Sequence, residues 1–231
     1  MAAGPDDSAP GGPFGASEPR PVRREDIAVL SASLARAFED DPVSRFLLPR
    51  WETHARRLER YFAWQIRHVF LPRGESWTTP ELRGASLWIP SGRRHGSAVV
   101  GLLQLPSVLR ILGRHTGRAL ALVDKLESVH PKAPHHYLGT IGVDPARQRQ
   151  GVGSALMTIV LDRLDAEGIP SYLESSKEKN LAFYHRHGYE VTTEVGGEKD
   201  GIPHIWCMWR EPKTGDASLT YSSPENRSQA D

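Results

Sequence analysis

Two hydrophobic rhythms alternate along the chain. In some stretches apolar residues return every three or four positions, the spacing of one helix face. In others they run together, as in buried strands. Ile27, Leu30, Leu34 and Phe38 predict an amphipathic helix over residues 25–38, which Asp40, Asp41 and Pro42 should end. Leu58, Tyr61, Phe62, Ile66 and Val69 predict a second over about 53–70. A short strand at 21–23 and a hairpin of 76–79 with 85–89, joined by residues 80–84, are expected around them. Two Leu- and Val-rich helices should follow at 99–112 and 117–130, with residues 113–116 between.

The second half reads as strand, helix, strand, helix, hairpin. Leu138, Ile141 and Val143 form an apolar run short enough for a strand, closed by Asp144-Pro145. Leu156, Ile159, Val160 and Leu164 predict a helix to about Glu167, with Gly168 and Pro170 as its stop. A strand at 171–174 precedes a short helix at 180–187, for which Asn180 is the expected N-cap and Gly188 the residue after its end. Residues 189–194 and 205–210 should close the fold as a hairpin, with Gly196, Gly197, Asp200 and Gly201 in its loop.

Composition narrows this picture. A chain of 231 residues is long enough for one domain with a sizeable core, here expected over 20–211. Residues 1–19 are rich in Gly, Pro and Ala, and 212–231 are polar, so both are expected to be disordered tails. A net charge of +1 argues against a dedicated nucleic-acid binder. No apolar run reaches the length of a membrane span, and the N-terminus lacks a basic-then-apolar leader. Cys207 is the one cysteine, so no internal disulfide is possible; this fits a reducing interior, and a cytoplasmic location is expected.

The chemistry concentrates in residues 137–153, YLGTIGVDPARQRQGVG. A helix start carries unpaired N–H groups and a positive dipole end, which makes it a natural anion site. Gly151 and Gly153 lack Cβ atoms, so a phosphate could come close, and Arg147 and Arg149 add charge. A plain strand–loop–helix turn would also use such glycines. No Gly-Lys-Ser/Thr follows, and no third glycine completes a dinucleotide fingerprint. What remains is Gln148-x-x-Gly151-x-Gly153.

That pattern resembles the acyl-coenzyme A pyrophosphate loop of the GNAT (Gcn5-related) N-acetyltransferase superfamily. Downstream, Glu174, Asn180, Tyr184 and Gly188-Tyr189 in YLESSKEKNLAFYHRHGY, and then WCMW, match the same family. In motifs the chain is most similar to puromycin N-acetyltransferase-like bacterial members. The resemblance implies an α/β (α+β) fold: a central, mixed but mainly antiparallel, splayed sheet flanked by helices. It implies acetyl-CoA as co-substrate and direct attack of a primary amine on the thioester. Carried over by position, the CoA contacts would be Ile141, Gly142, Val143, Gln148, Arg149, Gln150, Gly151, Val152, Gly153, Ser154, Asn180 and Tyr184.

Tyr184 matches the family's acid position, and a phenol near its reference pKa of about 10 holds its proton at neutral pH. Without the motif, Tyr184 would read as a packed tyrosine. Where some relatives carry a Glu base, this chain has Tyr137, so the base is sought elsewhere: His136, Glu174, or the pair Asp40 and Asp41. Cys207 lies in an apolar strand and reads as an inert thiol; His185 and His187, two apart on a helix, do not share a face, so no metal is expected. Gln104 and Arg93-Arg94-His95 read as surface. The acceptor is expected to be a small-molecule amine, with a protein amine and a non-catalytic acyl-CoA sensor as rivals. An open groove would favour a protein amine; a closed pocket under the 99–130 helices would favour a small one. Residues 205–209 could pair across a homodimer or be core.

Overall fold

The computed structural model describes residues 18–49, 51–92 and 106–213. The expectations for the two tails at 1–17 and 214–231, for the first residues of the 99–112 helix, and for Arg93, Arg94, His95 and Gln104 lie outside those residues.

Seven strands form one sheet in the order β1-β2-β3-β4-β5-β7-β6. They are β1 (Arg20–Pro21), β2 (Glu75–Thr78), β3 (Gly84–Ile89), β4 (His136–Val143), β5 (Ser171–Ser175), β6 (Glu190–Gly197) and β7 (Ile202–Arg210). Every pairing is antiparallel except β4 with β5. This is the mixed, mainly antiparallel sheet expected from the resemblance. The helices are α1 (Ile27–Ala37), α2 (Pro42–Leu47), α3 (Trp51–Gln65), α4 (Pro106–Leu112), α5 (Thr116–Val129), α6 (Val152–Glu167) and α7 (Leu181–Arg186).

The alternation of β3 shows why the sheet is covered on both faces. Ala85, Leu87 and Ile89 join a core with Leu30 and Leu34 of α1 and Leu58 and Phe62 of α3. Trp88 points the other way, into a core with Leu138, Met157, Val160, Leu164 and Leu173. A strand buried on both faces carries no polar alternation, which is why 85–89 is apolar except for Ser86, whose buried hydroxyl donates to the Leu156 carbonyl at 3.0 Å.

Two irregularities in β4 decide where a ligand could sit. His136, Tyr137 and Leu138 pair in parallel with Ser171, Tyr172 and Leu173, and there the pairing stops. Beyond it β4 continues beside β3 alone, while Glu174 and Ser175 stay with β7. The two strands therefore splay into a wedge. The second irregularity is a bulge at Gly139, where the register steps from Leu87↔Thr140 to Trp88↔Leu138. A Cβ on Gly139 would lie 2.9 Å from the Phe70 ring, so a larger residue there would have to displace that ring. The extra residue turns Thr140 to the same side as Tyr137 and Gly139, where all three line one cavity.

Several boundaries differ from expectation. Helix α1 ends at Ala37, before Pro42 is reached, and Pro42 instead opens α2 from the first helical position, where its missing N–H costs nothing. Asp41 caps α2 by accepting the Ser44 N–H at 2.8 Å. Helix α3 starts earlier than predicted and passes through a π-helical turn, Ile66–Phe70, into a last short turn, Leu71–Arg73. Asn180 stands at the start of α7 but is itself helical and makes no side-chain cap. Gly196 and Gly197 belong to the end of β6 rather than to a loop; at Gly196, with φ 82°, a Cβ would lie 2.1 Å from the Pro203 carbonyl.

Candidate active site

The first wall of the wedge is backbone. Ile141 and Val143 are half-buried on β4, past the last β5 partner. Gly142 between them serves packing: a Cβ there would meet Leu34 at 2.7 Å and Phe38 at 2.9 Å, pushing α1 off the sheet. The loop after β4 is held by Asp144. Its carboxylate accepts the Ala146 N–H at 3.1 Å, the Ser33 hydroxyl at 3.3 Å and Arg36 Nε at 3.0 Å. Burial opposes that charge, but Arg36 and the Ala146 N–H together hold the Asp144 carboxyl below its ordinary range. Gln148 is a brace of the same loop, its Nε2 donating to the Val143 carbonyl at 3.2 Å.

The loop then makes two left-handed steps, Arg149 at φ 61° and Gly151 at φ 79°. Backbone steps of this kind can form a nest of N–H groups able to take an anion. Here the nest leads straight into the open N–H groups of the first turn of α6. Val152 is buried and anchors that turn, while Arg147, Arg149 and Gln150 are exposed and Ser154 is half-exposed. Gly153 faces the Phe183 ring of α7, which a Cβ would meet at an ordinary 3.5 Å. Packing does not demand glycine there.

The second wall is a half-open cavity of about 250 Å³ between the wedge and the helices. Its apolar lining comes from α1, α2 and α3 and from the bulged β4, with Leu122, Val123 and Leu126 of α5 as a roof. Two carboxylates, Asp41 and Glu174, line it. The Tyr137 hydroxyl donates to Glu174 Oε2 at 2.6 Å. Burial first, and then the Glu174 charge, push the Tyr137 phenol well up, so it stays a protonated donor. Tyr61 accepts from Gln65 Nε2 at 2.8 Å, and burial pushes its phenol up to about 12.

A polar clamp crosses the mouth of the wedge. Asp41 is 5% exposed and accepts the Ser176 hydroxyl in addition to the Ser44 N–H. Lys177 and Lys179 of the same post-β5 loop pair with Asp40, Lys179 at 3.2 Å. The hydrogen bond from Lys177 outweighs burial and lowers the Asp40 carboxyl.

Tyr184 sits on α7, 6% exposed, against the rings of Phe183 and Tyr189 at 5.4 and 6.2 Å. Burial raises its phenol, and the Asp41 carboxylate is near enough to raise it further. It therefore stands beside the clamp, outside the cavity lining.

The profile of the acetyltransferase (GNAT) family matches residues 51–189. The chain belongs to the GNAT acetyltransferase family. An uncharacterized N-acetyltransferase of Schizosaccharomyces pombe is 26% identical over 216 residues, covering 88% of this chain and 87% of that protein. Among solved structures, a Corynebacterium glutamicum protein described as histone acetyltransferase HPA2 and related acetyltransferase superposes with a TM-score of 0.66 at 23% identity. That match covers 87% of this chain and 99% of the other. Mosquito arylalkylamine N-acetyltransferase like 5b gives a TM-score of 0.56 at 13% identity, over 84% and 98% of the two chains. Both structures share the fold.

Seen as a GNAT acetyltransferase, the molecule brings Asp41 and Glu174 to one cavity and gathers the nest residues at the head of α6. It keeps three other candidates apart from that cavity. His136 lies on the opposite face of β4, its Nε2 3.5 Å from Glu75 and its Nδ1 accepting the Ser91 N–H at 3.2 Å. Cys207 is buried and its thiol is pushed up to about 11 by burial, as an inert core residue should be. His185 and His187 turn their Nδ1 atoms to the carbonyls of Tyr189 and Phe183. No group of metal-ligating side chains stands together among the described residues, and no described helix is long and apolar enough to cross a membrane. Ile205 to Trp209 pair with β5 and β6 within this chain. Sequence reasoning missed the cap and clamp of Asp41, although Asp-Pro before an apolar run is a legible N-cap signal. It also missed His130, whose Nδ1 comes within 3.5 Å of Glu174 Oε1 and which no local pattern links to that strand.

Proposed function

We propose that this acetyltransferase moves the acetyl group of acetyl-CoA onto the primary amine of a small molecule with an apolar or aromatic body. The carrying observation is the half-open cavity beside the wedge, apolar on most sides and lined by the two carboxylates Asp41 and Glu174. An apolar body gains from leaving water there, and a cationic amine finds opposite charge. The α5 roof over the cavity favours a compact acceptor over an extended polypeptide. The arylalkylamine named for the mosquito structure is of this kind, although that chain is only 13% identical.

The residues fit an acyl-CoA. The nest of Arg149 and Gly151, with the head of α6, would hold the pyrophosphate, and the unpaired edge of Ile141, Gly142 and Val143 would hold the pantetheine arm. When bound, acetyl-CoA supplies a thioester open to attack by a neutral amine. The chain's part is proton traffic and positioning. Glu174 takes a proton from the ammonium, directly or through a water. Asp41 is spent on the α2 cap and on Ser176, so it contributes charge and shape rather than a base. Tyr184, kept protonated by burial, donates to the departing sulfur. Asn180 stands at the head of the same helix for a contact to the CoA arm.

The test is free-thiol release from acetyl-CoA with arylalkylamines, alkylamines, puromycin, polyamines, aminoglycosides, amino acids and short peptides. Turnover should appear with compact amines and fall about 10-fold or more in Tyr184→Phe, with acetyl-CoA affinity retained. Turnover with peptides alone would overturn the small-amine reading. Tight acetyl-CoA binding without turnover on any amine would favour a sensor.

A further inference from the structure

Behind Glu174, on the side away from the cavity, stands a short chain of histidines. His130 follows the last turn of α5, and its ring packs edge-on against Tyr172 at 4.8 Å and Tyr137 at 5.5 Å. Its Nδ1 lies 3.5 Å from Glu174 Oε1. Its Nε2 lies 3.2 Å from Nε2 of His135. His135 in turn has Nδ1 2.7 Å from the Ala133 carbonyl.

These contacts point to one set of tautomers. A carbonyl only accepts, so His135 carries its proton on Nδ1. Burial lowers the His135 imidazole, which keeps it neutral. Its Nε2 is then an acceptor, and His130 must donate from its own Nε2. That leaves the Nδ1 lone pair of a neutral His130 3.5 Å from Glu174 Oε1, placed to take up a proton from that carboxyl. The other Glu174 oxygen already accepts from Tyr137.

We propose that Glu174 and His130 act as one proton-holding pair, in which Glu174 takes the proton of the acceptor ammonium and His130 Nδ1 receives it and releases it to water. The idea rests on the acetyltransferase reading above. One proton enters from the ammonium and one leaves from His130, whose side chain is 16% exposed. Glu174 is returned as a carboxylate, ready for the next amine. An imidazole is ordinarily a stronger base than a carboxylate, so a proton passed from Glu174 to His130 moves to the better holder. The other titratable groups facing the pair are Tyr61 from α3, Tyr137 from β4, Tyr172 from β5, Cys207 from β7, Asp41 before α2, and His135. Burial raises all three phenols and the thiol, which removes them from proton exchange near neutral pH.

The first test needs no turnover. Long-range proton–nitrogen NMR on the ¹⁵N-histidine-labelled full chain reads each ring's tautomer from pH 5 to 9. His135 should remain the Nδ1–H form, and neutral His130 the Nε2–H form. At a fixed pH near 6.5, Glu174→Gln should lower the imidazolium fraction of His130. A neutral His130 carrying its proton on Nδ1, or no response to Glu174→Gln, would overturn the pairing. The second test is the pH profile of kcat/KM. His130→Gln should lower it about tenfold at pH 7 and flatten its rise between pH 6 and 7, with the Kd of acetyl-CoA unchanged. A profile scaled down without change of shape would mean a structural role and would also overturn the proposal. If no amine turns over, the small-amine reading fails, and the tautomers still decide whether the pair exists.

Discussion

Along β4 and the head of α6 the atoms that would face acetyl-CoA in the proposed reading are main-chain: an unpaired strand edge, two left-handed steps and a helix N-terminus. Across the wedge the cavity is walled by side chains from α1, α2, α3, α5, β4 and β5. The first wall comes from one short stretch; the second is assembled from segments more than a hundred residues apart, as the Ser176–Asp41 bond shows. Backbone recognition suits a ligand part that never varies, because main-chain N–H groups are the same whatever the side chains. Side-chain walls can be altered one residue at a time, which suits the part that sets acceptor choice. The difference teaches that cofactor class and acceptor class are separable questions in this molecule, and that single substitutions should separate them.

Glu174→Gln should have the largest effect on the side-chain wall: kcat/KM for a responsive amine should drop about 100-fold, with calorimetric affinity for acetyl-CoA unchanged. An unaltered rate would remove Glu174 as the base. Gly151→Val acts on the other wall. A β-branched residue is strained at φ 79°, by roughly 1–3 kcal/mol, and the nest should open. The Kd of acetyl-CoA should rise about tenfold or more, since each 1.4 kcal/mol is a factor of ten. Retained affinity would show that the nest is not the anion site.

Leu126→Trp fills the cavity under the α5 roof. It should raise the KM of the amine severalfold and leave acetyl-CoA binding alone; a matching loss of both would show that the walls are coupled. The smallest effect concerns the brace between them. The Asp144 carboxyl is depressed in the folded state, so its contribution to stability is full above the ordinary carboxylate range and is lost as pH falls below about 4. Arg36→Ala should lower the melting temperature at pH 7 and converge with the wild type near pH 3. Arg36 is 55% exposed, so the gap should be small and should narrow further at high salt.

The sequence by itself determined what depends on local order. The glycine spacing Gly151-x-Gly153, the apolar run of β4, the helix stops at Gly168 and Gly188, and the family resemblance are all read within a few residues, because backbone conformation is a local property. The same holds for most of the strand and helix positions, whose periods are printed in the chain. Tertiary structure decided the rest. Only the sheet pairing shows that β4 and β5 part after Leu138. Only the packing of α1 explains Gly142, which the motif assigned to the ligand. Asp41 as cap and clamp, Tyr137 as the donor to Glu174, and His130 behind that carboxylate are contacts between distant segments. Their physical cause is the burial of apolar surface, which brings segments together without regard to their distance along the chain. Side-chain chemistry at such meetings leaves no periodic trace in the sequence.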